Sequence, residues 1–164
     1  MIRKLTFSFL NLIKMSLFEK INEDLKMAMK AREKEKLEAI RAVKTAFLFA
    51  KSDKGATAVL TEDEELKIIQ KLVKQRNESA EIYKSQNRKD LYDREILEAE
   101  VISGYLPKQL SVEELTKVLL NIIQSVGASG IRDMGKVMGV ATKELAGKAE
   151  GKMIAAKVKE LLGQ

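Results

Sequence analysis

From Ser16 onward, apolar residues return every three or four positions, and no stretch alternates apolar and polar residues as a half-buried strand does. That periodicity commits the chain to helices, and the expected fold class is all-α. Phe18, Ile21, Leu25 and Met29 form one stripe; Leu37, Ile40, Val43, Phe47 and Ala50 form another after the charged break Arg32 to Lys36, as in a helical hairpin. Residues Ser52 to Leu60 read as a loop, closed by Thr61 as an N-cap with Glu64 placed to complete a capping box. Glu62, Asp63, Glu64 and Glu65 then lie at the positive end of the following helix dipole.

That third helix is expected from about Glu62 to Ser85, with Leu66, Ile69, Val73, Ala80 and Tyr83 facing inward and Lys74, Gln75 and Arg76 interrupting the pattern. Asp90 is placed to cap a fourth helix through Ser103, and the only proline, Pro107, marks a natural boundary. Ser111 with Glu114 makes a second capping box. Three short helices follow: Val112 to Val126, one capped by Asp133 and running to about Ala146, and Gly151 to Leu162. The expected organisation is therefore an extension over residues 1–14, a bundle of about four helices over 15–107, and a three-helix unit over 108–164. A core built from so short a C-terminal stretch is marginal alone, so support from the preceding helices is expected.

Residues 1–14 place Arg3 and Lys4 before the apolar run Leu5 to Ile13, imitating a secretory leader, but no small-residue cleavage site follows. Because Met15 directly precedes the Ser16 cap, the stretch reads as an upstream extension, with a membrane-surface anchor as the alternative. Charge is uneven. The net +6 comes from the two ends: residues 1–14 carry three basic groups and no acid, residues 108–164 carry nine basic and six acidic groups, and the middle is balanced.

With no Cys and no His, the chain has no thiolate nucleophile, no imidazole base and no Cys/His zinc site. Autonomous catalysis is not expected, nor is a metal or cofactor. The absence of cysteine fits a reducing compartment, and a cytoplasmic protein is expected. Arg88, Asp90, Asp93, Arg94, Glu95 and Glu98 read as caps and surface ion pairs rather than as a metal or acid–base site.

One segment resists a purely structural reading. Gly135 and Gly139 sit inside a helix, where each costs about 1 kcal/mol relative to alanine and so calls for a close approach by a neighbouring helix or a phosphate backbone. Met134, Val137, Met138, Ala141 and Leu145 share the opposite, apolar face. Lys136, Gly139 and Lys143 share a face at i, i+3, i+7, with Lys148 in the following turn after Gly147 and Lys152 in the next helix's first turn, where anions are favoured. The turn is not a P-loop, which needs glycine where Ala146 stands, Ser or Thr where Met153 stands, and a preceding strand. Lys74, Gln75 and Arg76, with Ser79 a turn later, form a secondary polar patch that either meets RNA or pairs with Glu78 and Glu81. Tyr83, Tyr92 and Tyr105 are too sparse for base stacking.

Met15-Ser16-Leu17, Leu37-Glu38-Ala39-Ile40-Arg41, Lys74-Gln75-Arg76-Asn77-Glu78-Ser79, Arg88-Lys89-Asp90-Leu91, Tyr105-Leu106-Pro107 with Gln109-Leu110-Ser111, and Asp133 to Gly139 occur in that order. Together they resemble the YqeY family, small proteins related to the tail of the B subunit of the tRNA-dependent Asp/Glu amidotransferase. The resemblance spans Met15 to Leu162. It implies a helical bundle followed by a three-helix domain, and a non-catalytic accessory that holds tRNA through Lys136, Lys143, Lys148, Lys152, Gly135, Gly139 and Gly147. It implies, as the alternative, a carbon–nitrogen ligase using glutamine as amide donor, active only within an amidotransferase or aminoacyl-tRNA synthetase complex. The chain itself lacks a glutaminase nucleophile–base pair. No DNA specificity and no membrane partner is expected. Ala141-Thr142 departs from the family's bulkier apolar pair.

Overall fold

The computed structural model describes residues 15–55 and 57–163. Seven α-helices and one 3-10 turn make up the described chain, with no strand among these residues. Ser16 and Glu19 close a capping box on α1 (Leu17–Ala31), which stops at Arg32 in the left-handed conformation (φ 57°). Helix α2 (Lys34–Lys54) runs through Ser52 to Lys54, two residues beyond the expected loop start, because nothing before Gly55 (φ 114°) opposes helical backbone. Thr61 and Glu64 cap α3 (Glu62–Ser85) with a capping box.

Two expected aspartate caps are corrected. In α4 (Lys89–Ser103) Asp90 lies within the first turn, where the Arg88 guanidinium donates to both its oxygens at 3.1 and 2.9 Å and holds its carboxyl below the usual range. Helix α5 (Val112–Ser125) begins at the Ser111–Glu114 capping box as expected. A 3-10 turn, Ile131–Asp133, then leads directly into α6 (Met134–Glu144). There Asp133 accepts the Ser129 N–H at 3.1 Å and pairs with Lys136, making no side-chain cap on α6. Helix α7 spans Gly151–Leu162.

The largest buried side chains fall into two clusters. One joins Ile21, Ile40, Val43, Phe47, Ile69 and Ile102 from α1 to α4; the other joins Leu119, Val137, Ala141, Leu145, Val158 and Leu162 from α5 to α7. Helices α3 and α4 form the most extensive pair, and charge ties them as well as apolar contact. Arg76 on α3 reaches Glu95 through Nη1 and Glu98 through Nε, both at 3.2 Å, and Glu98 is only 5% exposed. Glu98 also takes Nε of Arg94 at 3.2 Å, so its buried carboxylate is satisfied on both oxygens.

The turn after α6 packs against Leu66 of α3 and against Pro107. Gly147 (φ 72°) is buried, and a Cβ there would fall 3.0 Å from Cδ of Pro107 and 3.1 Å from both methyls of Leu66. The side-chain amide of Gln109 donates to the Gly147 carbonyl at 2.6 Å, and that of Gln70 on α3 donates to the Ala149 carbonyl at 3.2 Å. The Leu110 N–H donates to the Lys148 carbonyl at 2.9 Å. The C-terminal helices thus rest on α3 through backbone that has no room for a side chain. Gly147→Ala is expected to lower the melting temperature, since it combines left-handed strain of about 1 kcal/mol with overlap against Leu66 and Pro107; an unchanged thermal transition would contradict this packing.

Glu65, on the inner side of α3, is buried, with its carboxylate facing the backbone N–H groups of Leu17 and Phe18 at the start of α1. Burial pushes its pKa up, against the pull of Lys51. A carboxyl that keeps its proton to higher pH when folded gives stability below the unfolded pKa and loses it as pH rises through the folded pKa. Glu65→Gln cannot ionise. The variant should therefore gain thermal stability relative to the parent as pH is raised from about 4 to about 7; a melting-temperature difference constant over that range would overturn the assignment.

Candidate nucleic-acid interface

Helix α6 has two distinct faces. Val137, Ala141 and Leu145 are buried, with Met134 and Met138 packed against them, so the expected apolar stripe supplies the core contact. Gly135 and Gly139 lie on the exposed side, where a Cβ at either would meet no neighbouring atom within 4 Å. No described helix covers them. Gly139, in the helix interior, therefore weakens α6 by roughly 1 kcal/mol, and Gly135, in its first turn, by less, without any packing among the described residues that requires either.

Lysines border this bare backbone. Lys136 and Lys143 are exposed, about 10 Å apart along the axis from the helical rise. Lys136 also contacts Asp133 at 3.3 Å, but its side chain remains 71% exposed, so the pairing is weak and screened. Lys143, Lys148 and Lys152 are exposed and have no ion pair among the described residues. The backbone of Lys148 is held by Leu110 while its side chain projects into solvent. At α7, Glu150 occupies the N-cap position with no side-chain hydrogen bond, leaving the first-turn N–H groups open beside Lys152. Glu144 and Glu150 are the exposed acids of the same stretch.

Gly147 and the secondary patch are placed as follows. Gly147 is buried against Leu66 and Pro107, so its missing side chain serves packing and gives a ligand no access. In the secondary patch, Arg76 points into the α3–α4 interface and pairs with Glu95 and Glu98, while Glu81 is taken by Lys84 at 3.8 Å. Lys74 pairs across one turn with Glu78 at 3.8 Å, and Gln75 borders a groove between α2 and α3. Arg132 was not singled out from the sequence. It is exposed in the 3-10 turn four residues before Lys136, with no ion pair among the described residues, and the only sequence signal was that i, i+4 spacing. The described residues hold no group of Asp and Glu arranged to bind a metal, and no described helix is long and apolar enough to cross a membrane.

The sequence model described as Yqey-like protein matches residues 18–162. The chain belongs to the YqeY-like family. Among its relatives, the "Altered inheritance of mitochondria protein 41, mitochondrial" of Pyrenophora tritici-repentis is 29% identical over 150 residues, covering 88% of this chain and 80% of the relative. The protein of the same name from Clavispora lusitaniae is 32% identical over 116 residues, covering 70% of this chain and 66% of the relative. Both are named as mitochondrial, which overturns the cytoplasmic assignment drawn from the missing cysteines. The extension over residues 1–14 and its alternative as a membrane-surface anchor lie outside the described residues.

If the glycines of α6 serve a visitor rather than the fold, replacing one should strengthen the isolated protein. Gly139→Ala is expected to raise unfolding free energy by up to about 1 kcal/mol in urea denaturation; a clear loss of stability would mean that packing within the chain does require the glycine.

Proposed function

We propose that this YqeY-like chain is a non-catalytic accessory that binds tRNA, with the exposed face of α6, the following turn and the start of α7 lying along the phosphate backbone. The observation that carries this reading is the uncovered glycine face bordered by Lys136 and Lys143. A phosphodiester strand is narrow, and with no Cβ at Gly135 or Gly139 to hold it off it lies close enough for the Lys136 and Lys143 ammonium groups to reach its phosphates. Lys148 and Lys152 extend the positive line, and Arg132 is added at its other end. The contacts are to phosphate, which fixes position without reading bases, so sequence preference would come from the shape of the tRNA. The compartment indicated by the relatives' names is the mitochondrion.

The chain's chemistry supports binding over catalysis. Without Cys or His it carries no glutaminase nucleophile–base pair, so a carbon–nitrogen ligase activity would require another subunit to supply the reacting groups. Purified protein should release no ammonia from glutamine; release abolished by a point substitution would establish catalysis by this chain.

Titration with total tRNA tests the binding itself. Four lysine–phosphate contacts predict a log–log salt slope of about −3, and Lys143→Glu should weaken binding about tenfold at low salt without changing the melting temperature. Gly139→Leu should also weaken it, by holding the strand off the helix. Absence of binding, or binding indifferent to Lys136→Glu and Lys143→Glu, would refute the reading; recovery of a stoichiometric protein subunit in place of RNA from native cells would favour the amidotransferase-complex alternative.

A further inference from the structure

Away from the lysine face, α2, α3 and α4 border an open polar cleft of about 430 Å³ lined by Glu38, Arg41, Arg76, Tyr83, Leu91, Arg94, Glu95 and Glu98. That is within the range of small-molecule sites. Three separate sequence segments meet there: Leu37 to Arg41, Lys74 to Ser79, and Arg88 to Leu91. Much of its charge is already committed. Arg76 bonds Glu95 and Glu98, and Arg94 bonds Glu98 and, through Nη2 at 2.6 Å, Oε2 of Glu38.

What is left over has both signs. Arg41 is exposed and makes no hydrogen bond or ion pair among the described residues, so its donor fork is open. Oε1 of Glu38 and Oε1 of Glu95 are likewise unused, since their ion pairs run through Oε2. The Tyr83 hydroxyl has no hydrogen-bond partner among the described residues, and Leu91 gives the cleft an apolar wall. Three guanidiniums balance three carboxylates, so the cleft offers no net field to a simple anion or cation. A ligand with a carboxylate and an ammonium a few bonds apart meets both open groups at once.

We propose that this cleft binds a small zwitterion of the α-amino-acid class, with its carboxylate on the Arg41 fork and its ammonium at the free oxygens of Glu38 and Glu95. A side chain of modest apolar size lies against Leu91 and the Tyr83 ring. Arg76, Arg94 and Glu98 hold the walls in place and do not themselves contact the ligand's charges. The site is independent of the tRNA face, because no residue is shared between them.

Titration of the ¹⁵N-labelled full chain with L-leucine, followed by NMR, tests the proposal. Saturable shifts are expected at amides of α2, α3 and α4, with binding at least about tenfold weaker for N-acetyl-leucine, which lacks the ammonium, and for leucinamide, which lacks the carboxylate. Arg41→Gln should abolish the shifts and leave the melting temperature unchanged, since Arg41 has no partner to lose. The proposal is overturned by an absence of saturable shifts at millimolar leucine, by equal binding of the two half-charged analogues, or by inorganic phosphate binding there more tightly than leucine.

Discussion

The turn Gly147-Lys148-Ala149 is the contact on which the arrangement of the C-terminal helices depends. Its three carbonyls are each taken by a donor: Gln109 at Gly147, the Leu110 N–H at Lys148, and Gln70 at Ala149. Two of those donors come from the segment just after Pro107 and one from α3, so a single turn is fixed from both sides. Leu66 and Pro107 fill the space that a side chain at Gly147 would need. A carbonyl bonded in a half-buried position is costly to orphan, which makes this a directional contact and not merely an apolar one. With that turn fixed, the end of α6 and the start of α7 have little freedom relative to α3, and the exposed Lys143, Lys148 and Lys152 are carried on backbone that is held in place.

Much of the helical layout was legible because capping boxes are local chemistry. Ser16 with Glu19, Thr61 with Glu64 and Ser111 with Glu114 each satisfy two backbone donors within four residues, and each starts a helix where the sequence placed it. A lone aspartate is less informative. Asp90 and Asp133 find partners in Arg88 and in the Ser129 N–H, and neither caps its helix. Helix ends were less legible than starts, as at Lys54 and Glu144, because the residues beyond them tolerate helical and turn backbone alike.

The candidate site was partly legible. Apolar spacing gave the buried face of α6 correctly, and from it the exposed face that carries Gly135, Lys136, Gly139 and Lys143. Sequence has no means of separating Gly139 from Gly147. One has open space where its Cβ would be and the other has Leu66 and Pro107, and that difference depends on residues tens of positions away. Arg76 shows the same limit, since its partners Glu95 and Glu98 come from the next helix rather than from the nearby Glu78 and Glu81.

Cation type divides the molecule as sharply as charge does. Residues 108–164 hold eight lysines and a single arginine, Arg132, whereas Arg41, Arg76, Arg88 and Arg94 all lie in the N-terminal bundle. Guanidiniums form planar, forked bonds, and here Arg88 closes its fork on Asp90 while Arg76 and Arg94 each bridge two carboxylates of α2 and α4. An ammonium is a compact, strongly hydrated point charge on a flexible stem, which attracts a phosphate without demanding one orientation. A row of lysines beside bare helical backbone is therefore suited to following a phosphate strand through small changes of path. It is poorly suited to bidentate reading of a base edge, so any discrimination among anionic partners must come from the fixed spacing that the Gly147 turn imposes on the row.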